Sequence, residues 1–465
     1  MTEPESDATL VLTDLAHRVD SLPPADRRVA EALLARPTFG GRPADWWEHS
    51  YTVREQKPVC ARVCVHYVTT SAAGRTNDAV SRTDRDADGV PDYVQRVATT
   101  LGQVWSRQVD DLGFRAPRSD LAQDDDGGGP QLDVYLQDLP SGVYGYCAPD
   151  TADRVTSGYC VLDNDYSRRE FPSHTPTENL QVTAAHEFFH AVQFGYDSYE
   201  DLWLMEGTAG WMEDEVYDEV DDNLQYLEQS PLSDPYVSLD YSDMGYGPYG
   251  AWIFWKFLSE WAARGAADDP GIVREVWEAS VGSRFSTAAL QSVLQGRGSS
   301  FARGFGTFGT WANRPGRYFS EGVSYRRAAL DDRFTLTRAR RSSGLRSLAM
   351  NHMTHRYVRF TPGRTLTGSW RLRVSVNLAD TSRGSAARVL VHKRSGASSV
   401  HSIHLSRAGN GSRAFEFRRS VVASVELDLV NASIRFRCGL RTSMSCGGRG
   451  YDDALPSKYR ATAIR

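Results

Sequence analysis

No stretch of this chain reaches the ~20 consecutive apolar residues that a membrane-spanning helix requires, so the sequence predicts no such span. Lysine is scarce, at Lys57, Lys256, Lys393 and Lys458, the positive charge is nearly all arginine, and no Lys/Arg cluster stands out. With a formal net charge of -6, this excludes nucleic acid as an expected partner and leaves attraction to a membrane surface without support. The first residues, Met1 to Thr9, lack the basic region followed by a hydrophobic one that marks a leader. Internal repeats and low-complexity tracts are also missing. What is present, 40% hydrophobic and 11% aromatic residues over 465 positions, is ample for the buried cores of two or three domains.

The most informative segment is His186-Glu-Phe-Phe-His190. Leu180, Val182, Ala185, Phe189 and Val192 recur at helical spacing, with no Pro or Gly from Glu178 until Gly195, so the segment reads as a helix. Two imidazoles four residues apart on a helix point the same way and can grip one metal ion, with Glu187 beside it. A second predicted helix, Leu202 to Val216, supplies Glu206 as a third ligand. A catalytic zinc keeps three protein ligands and one water, whose pKa it lowers towards ~7. Glu187 is then placed to take the proton from attacking water and pass it to a leaving amine. Phe188, Phe189 and the tryptophans around Glu206 would keep such a site dry.

These residues resemble the gluzincin group of zinc peptidases, whose third ligand is a Glu on the helix after the motif. Here the matching segments are His186-Glu-Phe-Phe-His190 and Trp203-Leu-Met-Glu206-Gly-Thr-Ala. More broadly, His186 to Tyr196, the Glu206 helix, Asp84 to Tyr93, Asp133-Val-Tyr-Leu and the Cys438 to Cys446 tail resemble a family of secreted bacterial metalloproteases, over about residues 60 to 453. The resemblance implies zinc on His186, His190 and Glu206, with Glu187 as the base. One departure matters. The connection from His190 to Glu206 is shorter than in the aminopeptidases whose Trp-Leu-x-Glu-Gly-x-Ala it echoes, and no Gly-x-Met-Glu-Asn segment occurs to hold a substrate N-terminus. Endopeptidase activity on a protein or peptide is therefore expected.

An oxyanion donor is also expected, since removing one typically costs ~3 kcal/mol of barrier. Tyr246 and Tyr249, in Met244-Gly-Tyr-Gly-Pro-Tyr-Gly-Ala-Trp252, are the candidates, with Tyr249 preferred; the alternative is that both pack a Gly-Pro turn. Asp84-Arg-Asp-Ala-Asp-Gly-Val-Pro-Asp92 has the oxygen spacing of a calcium loop: Asp84, Asp86, Asp88 and Asp92 by carboxylate, Val90 by its carbonyl, and Gly89 for the turn. Position twelve is Gln95 rather than a bidentate Glu, so weak, structural Ca2+ binding of the extracellular kind is expected. The alternative is a solvated acidic turn capping the helix that begins at Pro91 and runs to Leu112. The strand Leu132 to Asp138 is read as an edge along which a peptide could pair.

Six cysteines fall into the sequence-local pairs Cys60/Cys64, Cys147/Cys160 and Cys438/Cys446, although six allow fifteen connectivities. They suit three bridges and an oxidising compartment. Together with the calcium-type loop they lead to the expectation of a secreted protein. Residues 1–45 read as two short helices broken at Leu22-Pro-Pro-Ala25 and suit a pro-segment. Residues 46–335 mix strands and helices as a zincin-like metallopeptidase domain would, with a helical lobe over 250–330. From 340 to 465, alternating segments such as Thr365 to Val376, Ala387 to Val391 and Ser424 to Val430 read as a β-sandwich. The fold class is thus α+β. His352 and His355, near the start of that region, are read as structural. Two functions remain open: a secreted zinc endopeptidase, and an extracellular binding or structural protein on a zincin scaffold without activity. The intact Glu187 favours the first.

Overall fold

The computed structural model describes residues 8–40, 50–73, 77–123, 125–140, 142–242, 247–263, 268–282 and 284–465. The fold is mixed α and β with several sheets, in two compact units. The first gathers the described residues of Met1–Leu224, Met244–Trp252 and Pro270–Arg284; the second gathers those of Gln225–Asp243, Ile253–Asp269 and Phe285–Arg465. Parts of the predicted N-terminal segment, 1–7 and 41–45, and Tyr246 lie outside the described residues.

The first unit opens with helices α1 (Ala8–Arg18) and α2 (Pro24–Leu33), parted at Leu22-Pro23 as the sequence predicts. Its sheet comprises β1 (Val59–Cys60), β2 (Val63–His66), β3 (Leu132–Gln137), β4 (Gly145–Pro149) and β5 (Gly158–Asp163), in the order β1-β2-β3-β5-β4. The parallel strands β2, β3 and β5 are buried at every residue, as strands covered on both faces are. This overturns the edge reading of 132–138. β3 lies between β2 and β5, so its backbone groups are already engaged on both sides. The free edge next to β5 belongs to the antiparallel strand β4.

Helix α3 (Asp92–Trp105) continues into a π-helical turn over Ser106–Asp111, together covering the predicted 91–112 helix. Helix α4 (Pro176–Phe194) starts on a reciprocal cap, in which Thr175 accepts from the Glu178 N–H and Glu178 accepts from the Thr175 N–H, with Pro176 in the first turn. It is buried almost all round, packing against β4, β5, α3 and the next helix, α5 (Leu202–Tyr217). A short helix, α6 (Gly247–Gly250), also belongs to this unit. So does α8 (Gly271–Ala279), whereas α7 (Trp252–Ala262) falls almost wholly in the second unit. The helices predicted over 250–330 are therefore shared between the units.

The second unit also holds α9 (Ser286–Gly296), α10 (Phe301–Asn313) and α11 (Pro315–Tyr318). Its strands are β6 (Asp332–Leu336), β7 (Arg346–Met350), β8 (Thr354–Pro362), β9 (Arg371–Asn377), β10 (Ser385–Lys393), β11 (Ser398–Ser402), β12 (Asn410–Glu416), β13 (Val422–Asn431), β14 (Phe436–Arg437), β15 (Arg449–Gly450) and β16 (Leu455–Ile464). They form a sheet β11-β10-β13-β8-β6, a sheet β12-β9-β16-β7 and a ribbon β14-β15. Phe360 and Leu427 of the first sheet share one apolar core with Val374 and Ala461 of the second. β9 and β16 alternate buried and exposed residues, whereas β13 is buried along most of its length because α10 packs against it.

All three cysteine pairs are disulfides: Cys60–Cys64, Cys147–Cys160 and Cys438–Cys446. Among the described residues no helix is long and apolar enough to cross a membrane.

Candidate metal centre

Helical periodicity puts His186 and His190 on one face of α4, and α5 sets Glu206 against them. His186 Nε2 is 3.2 Å from Glu206 Oε2, and His190 Nε2 is 3.5 Å from Glu206 Oε1. The two contacts use different oxygens of one carboxylate, and one ligand atom from each of the three residues lies within 4.8 Å of the others, so the two imidazoles and the carboxylate converge as the donor set of a small cation such as zinc does. The fit has a second sign. His190 Nε2 and Glu206 Oε1 are buried without a hydrogen bond, a costly state for polar atoms unless a ligand satisfies them. Both residues are 0% exposed.

A second layer fixes the rings. His186 Nδ1 lies 2.7 Å from Glu213 Oε1, and His190 Nδ1 lies 2.8 Å from Gln193 Oε1. The Gln193 amide donates to the Met205 carbonyl at 2.9 Å and to Thr208 Oγ1 at 3.2 Å, so its oxygen faces His190 and accepts from Nδ1–H. That tautomer leaves Nε2 bare, as a metal ligand must be. Without a cation, protons occupy the cluster. Burial works against protonation of His186, but hydrogen bonds to Glu206 and Glu213 outweigh it and push its pKa well up. Burial likewise acts against ionisation of Glu206, and His190 with His186 overcomes it and draws that pKa down. A divalent ion would displace these protons on binding.

Glu187 sits next to this cluster, 7% exposed, and burial pushes its carboxyl up, partly offset by His186 and His190. Its Oε2 accepts a hydrogen bond of 3.2 Å from the Thr9 hydroxyl. The Tyr249 ring, from α6, stands alongside His186 with centroids 5.7 Å apart and planes at 24°.

The acidic loop before α3 is partly assembled. Asp84, Asp86 and Asp88 each offer an oxygen within 4.8 Å of the others. Gly89 takes a φ of +89°, which a residue with a side chain rarely adopts, and its N–H donates to Asp84 at 3.0 Å. Gln95, at the twelfth position, donates from its amide to Asp86 at 3.1 Å and Asp88 at 2.8 Å. Val90 donates its N–H to Asp88 at 2.8 Å. Asp92 stands outside the group. Its carboxylate accepts from the Arg85 N–H at 2.8 Å and pairs with the Arg85 side chain at 3.3 Å.

Several residues at the centre went unread in the sequence. Glu213 follows Glu206 by two helical turns and Gln193 follows His190 by three residues, so helical spacing could have found both. Thr9 carries no such signal, being 178 residues from Glu187. Away from the centre, Arg36, which is 4% exposed and pairs with Asp120, Asp133 and Asp150, carries none either.

No family model matches this chain, and no curated protein matches it. A solved structure similar to it is a family GH115 4-O-methyl-alpha-glucuronidase, BtGH115A, with specificity for decorated arabinogalactans, at 9% identity and a TM-score of 0.15. The match covers 77% of this chain and about half, 54%, of that one, and a likeness at this level carries no argument about fold or activity.

Proposed function

We propose that this chain is a secreted zinc-dependent endopeptidase whose first unit is a zincin-like metallopeptidase domain and whose second carries an accessory β-sandwich. The observation that carries this reading is the buried cluster of His186, His190 and Glu206, with Nε2–carboxylate spacings of 3.2–3.5 Å, His190 Nε2 and Glu206 Oε1 without a hydrogen bond, and Glu187 beside them. Zinc held there supplies Lewis acidity towards water and a peptide carbonyl. Glu187 takes the proton of the attacking water and returns it to the leaving amine. Tyr249 is the donor we assign to the developing oxyanion. Glu213 and Gln193 hold the two imidazoles in orientation. The burial of His190 and Glu206 keeps competing water out.

The Asp84, Asp86 and Asp88 loop we assign to a structural Ca2+ ion, with the Val90 carbonyl as a further ligand and Asp92 held instead by Arg85. The three disulfides support export to an oxidising compartment.

The test is Glu187→Gln. The variant is expected to keep the zinc content of the parent while casein hydrolysis falls about 10²–10⁴-fold, the usual worth of a general base. Chelation should stop the parent. Equal, measurable hydrolysis by parent and variant would refute the mechanism, and zinc binding with no hydrolysis under any condition, including after removal of Ala8–Arg18, would favour a binding role.

A further inference from the structure

On the endopeptidase reading an extended peptide needs a free sheet edge beside Glu187, and in the first unit that edge is β4. It is taken. The Cys147 N–H, on β4, points out of the sheet and donates to Thr9 Oγ1 at 2.9 Å, while the same hydroxyl donates to Glu187 Oε2 at 3.2 Å. One side chain of α1 thus joins the backbone edge of β4 to the carboxylate beside the metal-type cluster. Ala8 and Leu12 of α1 share an apolar cluster with Tyr146 and Ala148 of β4. At the far end of α1, His17 stacks on Tyr199 with centroids 3.4 Å apart and hydrogen-bonds Ser198 at 3.0 Å.

We infer that α1 occupies the substrate edge of β4 and the base Glu187, so that the intact chain is a latent form that opens when α1 is released. The connection that would let it go is exposed. In α2 only Ala30 is buried, and Asp20, Ser21, Pro23, Pro24 and Arg28 face solvent. Beyond it, Arg36 is locked among Asp120, Asp133 and Asp150, with Tyr159 Oη donating to the Ala35 carbonyl at 2.9 Å. Hydrolysis of one peptide bond between residues 19 and 34, water adding across it, frees α1 and leaves that anchor in place. A trypsin-like protease, to which Arg28 is exposed, fits the task.

The experiment opens the zinc-loaded full chain by two routes: a site-specific protease sequence inserted after Ser21, and Leu12→Asp, which puts a charge into the apolar face of α1. Three readouts follow: amide exchange of the 145–149 segment, affinity for a dipeptide hydroxamate, and casein hydrolysis. Release is expected to speed exchange at Cys147 and tighten hydroxamate binding about tenfold or more, since apparent affinity scales with the open fraction. Peptide 8–18 added back should reverse both. Faster exchange and tighter binding without hydrolysis would support the cover and count against the endopeptidase reading; in a chain that binds no zinc, exchange alone decides. Equal hydrolysis by intact and opened chains would overturn the cover and leave the endopeptidase reading standing. So would unchanged exchange after α1 has left. If α1 cannot leave by either route without loss of the native near-UV signal, it belongs to the core and the inference falls.

Discussion

His190 in the first unit and His352 in the second are both 0% exposed and both face carboxylates, yet they are satisfied differently. His352 spends both ring nitrogens on acids, Nδ1 on Asp453 at 2.5 Å and Nε2 on Asp240 at 2.9 Å. His190 spends Nδ1 on a neutral amide, and its Nε2 is left facing Glu206 Oε1 with no hydrogen bond. A ring bonded to acids at both nitrogens is arranged to carry a proton. One whose outer nitrogen is fixed as N–H and whose inner nitrogen is bare is arranged to receive a cation. Burial and acidic neighbours are common to both, so neither alone distinguishes a structural histidine from a ligand. Between these two the unspent atoms do; His186, which meets Glu213 and Glu206 at its two nitrogens as His352 meets its acids, is read as a ligand through the Glu206 it shares with His190.

The largest effects expected from this contrast are a matched pair. Glu206→Ala should remove zinc, lowering affinity beyond the 10–100-fold that loss of an outer contact costs, with little change in denaturation of the second unit. Asp240→Ala should leave zinc content unchanged but destabilise the second unit by about 3–5 kcal/mol, because it strands the His352 charge in the interior. Zinc content and urea midpoints on both proteins check this. Full zinc occupancy in Glu206→Ala would remove it as a ligand and break the contrast.

A smaller effect follows from pH. Burial disfavours the His352 imidazolium, but the hydrogen bonds to Asp240 and Asp453 outweigh it, raising the ring from 6.5 to about 9. With the folded value above the unfolded one, the stabilisation is complete below about pH 6.5 and disappears as pH rises through about 9. A loss on the order of 3 kcal/mol across that window is expected in the parent, and much less in Asp240→Asn. Urea midpoints between pH 6 and 10 test it; parallel profiles for the two proteins would exclude His352 as the origin.

Much of the site could be read because its parts are local or periodic. The four-residue spacing of His186 and His190, the cap at Thr175 and the Glu206 helix need only helix geometry, and the cysteine pairs needed only proximity in sequence. Strand position could not be read in this way. The run Leu132 to Gln137 is equally compatible with an edge or a centre, and what makes β3 central is pairing with β2 and β5, segments distant in sequence. The same applies to Thr9 and Arg36, whose partners lie 178 and 84 to 114 residues away. That 225–243, 253–269 and 285–335, read from the sequence as part of the 46–335 domain, group with the second unit is likewise a matter of long-range packing.

The smallest effect belongs to the acidic loop, and it sharpens the contrast from a third side. Here the exposed carboxylates of Asp86 and Asp88 converge with the half-buried Asp84 without a histidine, and the Gln95 amide supplies hydrogens to Asp86 and Asp88 where a cation would supply charge. Two of the three acids are exposed and well hydrated, and the twelfth position is Gln95 rather than a bidentate Glu, so the ion binds weakly, with dissociation constants of about 10⁻⁴–10⁻³ M. Millimolar calcium would then stabilise the fold by about 1 kcal/mol through mass action. Asp86→Ala is expected to lower the melting temperature by a few degrees in calcium and to match the parent in a calcium-selective chelator, with zinc content unaffected. Identical melting of parent and variant in calcium would mean that hydrogen bonds from Gln95, Gly89 and Val90 suffice to hold the loop as a solvated cap on α3.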